Sequence, residues 1–150
     1  MTLAVSADAR CALKKMAGYS STPLWKKLGF KTEIEAAIDG APDGYQQLLQ
    51  LPREMTIRWV PEPRKGVSFV HLFCKEAPVL KRKLKRLRKL ITPEGVIWVS
   101  WPKKASGVQT DLTEDVVRLS ALPLGLVDIK VCAVDEIWSG LKLMIRKSER

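Results

Sequence analysis

The chain holds a single histidine, His71, and only three cysteines, at positions 11, 74 and 132. Metal sites and cysteine–histidine catalysis need such residues in clusters, and no CxxC or paired Cys/His spacing occurs here. Three widely separated thiols make no disulfide framework either, so a reducing compartment is expected. No run of 18 apolar residues occurs, which argues against a membrane span, and residues 1–17 lack the long apolar core of a secretory leader. The expectation is a cytoplasmic protein with no metal and no membrane association. What is present suffices for one core: 46% of the 150 residues are hydrophobic, enough for a domain of this size to fold without staples. Residues 1–17 read as a flexible extension and residues 18–150 as a single α/β domain.

Acidic residues are the minority, 16 against 26 basic ones, for a net charge of +10. The excess is local. Between positions 75 and 91 stand Lys75, Lys81, Arg82, Lys83, Lys85, Arg86, Arg88 and Lys89 against Glu76 alone, so this segment carries +7 and the other 133 residues only +3. The basicity belongs to one element, not to the whole surface.

Residues 22–29 (Thr-Pro-Leu-Trp-Lys-Lys-Leu-Gly) predict a short helix, with Thr22 as N-cap, Pro23 at the first helical position and Gly29 in the left-handed conformation past its end. Residues 33–38 (Glu-Ile-Glu-Ala-Ala-Ile) are ambiguous, and propensity alone favours helix. A turn cluster at 39–44 precedes a short helix at 45–51. Residues 55–60 alternate as a strand should, and 67–74 and 95–101 are continuous apolar runs suited to buried strands. Between them, Leu80, Leu84, Leu87 and Ile91 recur at helical spacing over 78–91, a narrow apolar stripe under a basic outer surface. Asp111-Leu112-Thr113-Glu114 reads as a capping box for a helix to about 122. Two strands, 126–134 and 141–145, close the chain. The alternation implies a three-layer α/β fold: a mostly parallel sheet of five to six strands with helices on both faces and an antiparallel edge strand. The strands at 55–60, 67–74, 95–101 and 126–134 should run parallel, and 141–145 antiparallel.

Several stretches resemble a family of small bacterial proteins known only as a domain of unknown function. They are Gly18-Tyr19-Ser20-Ser21-Thr22-Pro23-Leu24, Ala41-Pro42-Asp43-Gly44-Tyr45, Trp98-Val99-Ser100-Trp101-Pro102-Lys103-Lys104, Thr110-Asp111-Leu112-Thr113-Glu114 and residues 131–142. The resemblance covers roughly residues 18–147 and implies no particular reaction. The order of elements also resembles a class I methyltransferase core, Rossmann-like, with one strand–helix unit missing. That resemblance makes 33–38 the first strand and sets the turn at 39–44 where a methyltransferase carries its glycine loop. Here Ala41, Pro42 and Asp43 stand between the glycines, and Pro42 removes an N–H donor. Glu62 falls where an acidic ribose contact would be expected.

In open α/β sheets ligands collect beyond the carboxyl ends of the strands. The candidates at that edge are Asp39, Gly40, Asp43, Gly44 and Tyr45, then Ser100, Lys103, Lys104 and Ser106, then Asp135 and Trp138. The Ser100–Gly107 stretch, with lysines, hydroxyls and a glycine, would suit a phosphate or carboxylate, and reads also as a strand-ending loop with solvated lysines. Asp135 and Trp138 read also as a hairpin-like turn whose Trp covers the core. His71, inside an apolar run, reads as a packed core residue, and Cys74 as a buried thiol without a second histidine to activate it. Lys81, Arg82, Lys85, Arg86 and Lys89 are polyanion-binding candidates, though helix 78–91 has no aromatic residue for base stacking. Three functions therefore stand open. The leading one is a non-catalytic Rossmann-like module, without cofactor, that binds an anionic ligand or partner. The others are an S-adenosylmethionine-dependent transferase with an atypical loop, and weak non-specific nucleic-acid binding through helix 78–91.

Overall fold

A computed structural model describes residues 22–150. The expectation for residues 1–17 and the motif residues Gly18–Ser21 lie outside the described residues. The most apolar runs form the middle of the sheet. Strand β3 (Phe69–Phe73) is buried at every position, and pairs in parallel with β1 (Glu35–Asp39) on one side and β4 (Val96–Pro102) on the other. A strand covered on both faces needs a continuous apolar sequence rather than an alternating one. Strand β2 (Arg58–Val60) pairs in parallel with β1 and closes that edge. It begins three residues later than the expected 55 and ends at Val60 as expected; ahead of it the Thr56 backbone is bonded to Glu33 N–H and the Thr32 hydroxyl.

The ambiguous residues resolve as strand. Ala36 and Ala37 are fully buried, and β1 has hydrogen-bonded neighbours on both edges. Its small side chains have helix propensity of a few tenths of a kcal/mol, which packing between two strands outweighs.

The other edge is antiparallel. Strand β6 (Trp138–Ile145) runs against β4, and β5 (Leu126–Ala133) against β6, so β5 points the same way as β1–β4. The order is β2-β1-β3-β4-β6-β5. β6 begins three residues earlier than the expected 141, because the Asp135 carboxylate accepts the N–H groups of Ile137 and Trp138 at 2.8 and 2.7 Å and folds 135–138 into a tight hairpin turn.

Helices cover both faces. Helix α1 (Leu24–Leu28) and helix α2 (Tyr45–Leu49) lie over Phe69, Phe73 and Trp98; helix α3 (Ala77–Leu90) and helix α4 (Glu114–Ala121) lie over Val70, Leu72, Ile97 and Val99. The expected stripe of α3 is the buried one: Leu80, Leu84, Leu87 and Ile91. Fully burying each leucine is worth roughly 1.5–3 kcal/mol. α1 starts at Leu24, with the Pro23 carbonyl accepting from Lys26 and Lys27, and Gly29 closes it with φ of +88°.

The capping box at 111–114 is replaced by two separate caps. Thr113 caps α4 by accepting from Val116 N–H, whereas Asp111 accepts from Ala77 N–H at 2.8 Å and caps α3. Glu114 pairs with Arg118 one turn on instead of reaching back.

Candidate functional site

Strand order reverses between β1 and β3: from β1 the chain moves outward to β2, then crosses back to β3 and β4. The loops leaving β1 and β3 diverge there, and a cleft of about 470 Å³ opens beyond the strand ends. Gly40 and Pro42 line it from the β1 loop, Phe73 to Glu76 from the end of β3, Val79 and Lys83 from α3, and Trp138 from the start of β6. Phe73 and Trp138 meet edge to face, ring centres 5.0 Å apart and planes at 88°, and form the apolar wall.

The β1 loop decides what can approach. Gly40 has φ of +75°, and a Cβ there would stand 2.8 Å from the Phe73 carbonyl oxygen. The space that its missing side chain frees is thus filled by the β3 backbone, not held open for a ligand. Pro42, on the cleft wall, offers no N–H. Glu62 is exposed past β2 and does not line the cleft. The residues present do not fit an adenosyl cofactor held on a glycine-loop backbone.

Charge enters the cleft from α3. The Lys83 ammonium lies 2.9 Å from the Asp39 carboxylate at the end of β1, both side chains about one-third exposed. Lys75 and Glu76 stand on the adjoining wall. The α3 N-terminus, a natural anion site, is taken up by the Asp111 carboxylate. Cys74 is buried, and this pushes its thiol pKa up. Lys83 nearby pulls it down, Asp39 raises it and Arg82 lowers it, all to a smaller extent.

Beneath the cleft, on the α1–α2 side of the sheet, runs a buried polar chain. The Tyr45 hydroxyl is 2.7 Å from His71 Nδ1, and the Ser100 hydroxyl 2.8 Å from His71 Nε2. A neutral imidazole has one N–H and one lone pair, so hydroxyls at both ends satisfy either tautomer. Burial lowers the His71 pKa to about 3 and raises that of Tyr45. His71 stacks on Phe73 at 4.2 Å and so supports the cleft wall from behind. His71 and Ser100 are fully buried and off the cleft, so the trio is a satisfied core network rather than an exposed nucleophile with its base.

The candidates thus separate. Gly40 and Trp138 line the cleft, Asp39 reaches Lys83 at its margin, and Tyr45 and Ser100 belong to the buried chain. Asp43 and Gly44 are exposed before α2, Gly44 with φ of +81°. Asp135 is engaged by the β5–β6 turn. Lys103, Lys104 and Ser106 lie outside the cleft walls, in a loop bonded within itself: Ser106 Oγ donates to Lys103 C=O and accepts from Val108 N–H. On α3, Lys81, Arg82, Lys85, Arg86 and Lys89 are exposed, with Arg86 donating to Pro63 C=O at 3.5 Å.

Lys83, Val79 and Glu76 were not singled out from sequence. For Lys83 a signal existed: it is three residues after Leu80 and four after Val79, on the flank of the apolar stripe rather than opposite it. Among the described residues, no His, Cys, Asp or Glu group is placed to hold a metal ion, and no helix is long and apolar enough to cross a membrane.

No family model matches the chain, and no curated protein does. Solved structures do. A protein from Sulfolobus solfataricus assigned as a type 11 methyltransferase is similar at 11% identity, over 85% of this chain and 92% of that one, with a TM-score of 0.60. A SAM-dependent methyltransferase from Aquifex aeolicus is similar at 14% identity, over 90% and 97%, with a TM-score of 0.59. A protein from Bordetella parapertussis described as a possible exported protein is similar at 9% identity, over 89% and 68%, with a TM-score of 0.60. At such identities the likeness concerns the backbone alone. The chain has a Rossmann-like fold of the methyltransferase type.

Proposed function

We propose that the protein is a Rossmann-like binding module that takes a small anionic ligand in the cleft beside β1, β3 and α3 and does not transfer a methyl group. The lining of that cleft carries the reading: two ammonium groups, Lys75 and Lys83, stand beside the apolar wall of Phe73 and Trp138, with Glu76 on the same wall and Asp39 on Lys83 as their counter-charges. The imidazole is buried elsewhere and the Cys74 thiol is held protonated by burial, so neither serves as base or nucleophile at the cleft near neutral pH. In this proposal the chain belongs to the small bacterial family its motifs resemble and works in the cytoplasm. Amide and indole chemical shifts on titration with benzoate, acetate and inorganic phosphate test it. Changes confined to Gly40, Cys74, Lys75 and the Trp138 indole support the reading, and changes scattered over the surface or absent sink it.

A second reading, an S-adenosylmethionine-dependent transferase, draws its support from the fold shared with the Aquifex and Sulfolobus proteins. Pro42 and the filled space at Gly40 weigh against it. A third, weak polyanion binding by α3, rests on the exposure of Lys81, Arg82, Lys85 and Lys89 along one helix.

A further inference from the structure

Lys83 departs from the other cations of α3. It is turned inward, across the end of the sheet, onto a carboxylate of another element. Arg88 is also engaged, on Leu124 C=O and Glu149, but far from the cleft. The ion pair of Lys83 with Asp39 shows that this ammonium sits at carboxylate-binding distance at the mouth of a site with an aromatic wall. An incoming carboxylate can replace the Asp39 carboxylate like for like. The surrounding charges limit what else can enter: Lys75 and Lys83 are balanced by Glu76 and Asp39, so a second negative charge on the ligand meets two carboxylates at the rim. Phe73 and Trp138, meeting edge to face, form an apolar corner of which only the margins are exposed, and about 470 Å³ accommodates a small ring with a short arm.

We infer that the ligand is a planar aromatic monocarboxylate, its carboxylate displacing Asp39 from Lys83 and its ring lying against Trp138 and Phe73. This rests on the reading of the cleft as an anion-binding site and narrows it to one charge class. Asp39 then acts as an internal competitor. Removing its charge frees Lys83 and strengthens binding, the reverse of what a residue contacting the ligand would do.

Calorimetric titration decides it, with benzoate and indole-3-acetate as aromatic monocarboxylates, phenyl phosphate as dianion, benzamide as the neutral analogue and acetate as the carboxylate without a ring. The aromatic monocarboxylates should bind more tightly than the other three. Asp39→Asn should tighten benzoate binding about two- to fivefold, the worth of a partly exposed ion pair. Lys83→Met should weaken it at least about tenfold, as loss of a charge-assisted hydrogen bond does, with Lys83→Arg restoring most of it. If phenyl phosphate binds more tightly than benzoate, or Asp39→Asn weakens binding while Lys83→Met also does, the cleft binds anions but the monocarboxylate assignment is wrong. If none of the five binds to the folded, unsubstituted chain, the anion-binding reading itself falls, and the assignment with it.

Discussion

The hydroxyl of Tyr45, in the first turn of α2, stands 2.7 Å from Nδ1 of the fully buried His71 on β3. Between them they tie the helix that follows the β1 loop to the centre of the sheet. Tyr45→Phe keeps the ring and leaves one imidazole nitrogen without its partner. A buried polar group left unsatisfied costs about 1–3 kcal/mol, more than the hydrogen bond itself contributes. Urea denaturation should show that loss in the midpoint with an unchanged slope; an unchanged midpoint would mean the contact is not made in solution.

The same histidine sets a pH dependence. Burial lowers its pKa to about 3 from an ordinary 6.5, so below pH 6.5 the unfolded chain binds a proton that the folded chain refuses. Stability is then full above 6.5 and is lost on acidification, at up to about 1.4 kcal/mol per pH unit once well below 6.5. Glu35 and Asp128, held low by hydrogen bonds from Arg64 and Arg118, contribute only below their ordinary 4.5 and 3.8. The window from pH 6.5 to 5 therefore isolates His71 among the described residues with resolved shifts. Stability measured by urea at pH 7, 6 and 5 should fall in that window, and His71→Gln should flatten the fall whatever its own starting stability.

Two caps, two residues apart, serve different helices. Asp111→Ala should expose the Ala77 amide of α3 to hydrogen exchange and leave Val116 protected, while Thr113→Ala should do the opposite in α4. Each should cost about 0.5–2 kcal/mol. Loss of protection at the Glu114 amide in Asp111→Ala would restore the capping box.

The outer face of α3 should attract polyanions weakly. Lys81, Arg82 and Lys85 changed together to Glu leave Leu80, Leu84 and Leu87 in place, so the variant should fold as before and lose retention on heparin. On duplex DNA each phosphate contact removed should reduce the slope of log affinity against log salt by about 0.9. Unchanged retention would place the contact elsewhere.

Much of this fold was legible in the chain, and the illegible parts share a cause. The stripe of α3 could be read because Leu80, Leu84, Leu87 and Ile91 span three turns, and β3 and β4 because their apolar runs are short, bounded by turns and rich in β-branched and aromatic residues. β1 could not be assigned from its own residues, since Glu35, Ala36 and Ala37 prefer helix and only the strands on either side decide otherwise. Asp111 looked like a local cap, yet its partner Ala77 is 34 residues upstream. At the site, Gly40 and Trp138 could be placed at the sheet edge by counting strands. Lys83 was hidden among seven other cations of the same segment, and only the position of Asp39 in space separates it from them.

On the function proposed above, the methyltransferase-type backbone carries a cleft that does not take an adenosyl cofactor in the ordinary manner, because the β3 backbone fills the space beside Gly40 and Pro42 offers no donor. Calorimetric titration of the full chain with S-adenosylmethionine tests this most directly. No binding tighter than about 10 μM is expected; a dissociation constant below that, more than roughly 6.8 kcal/mol of binding free energy, would make the transferase reading the better one.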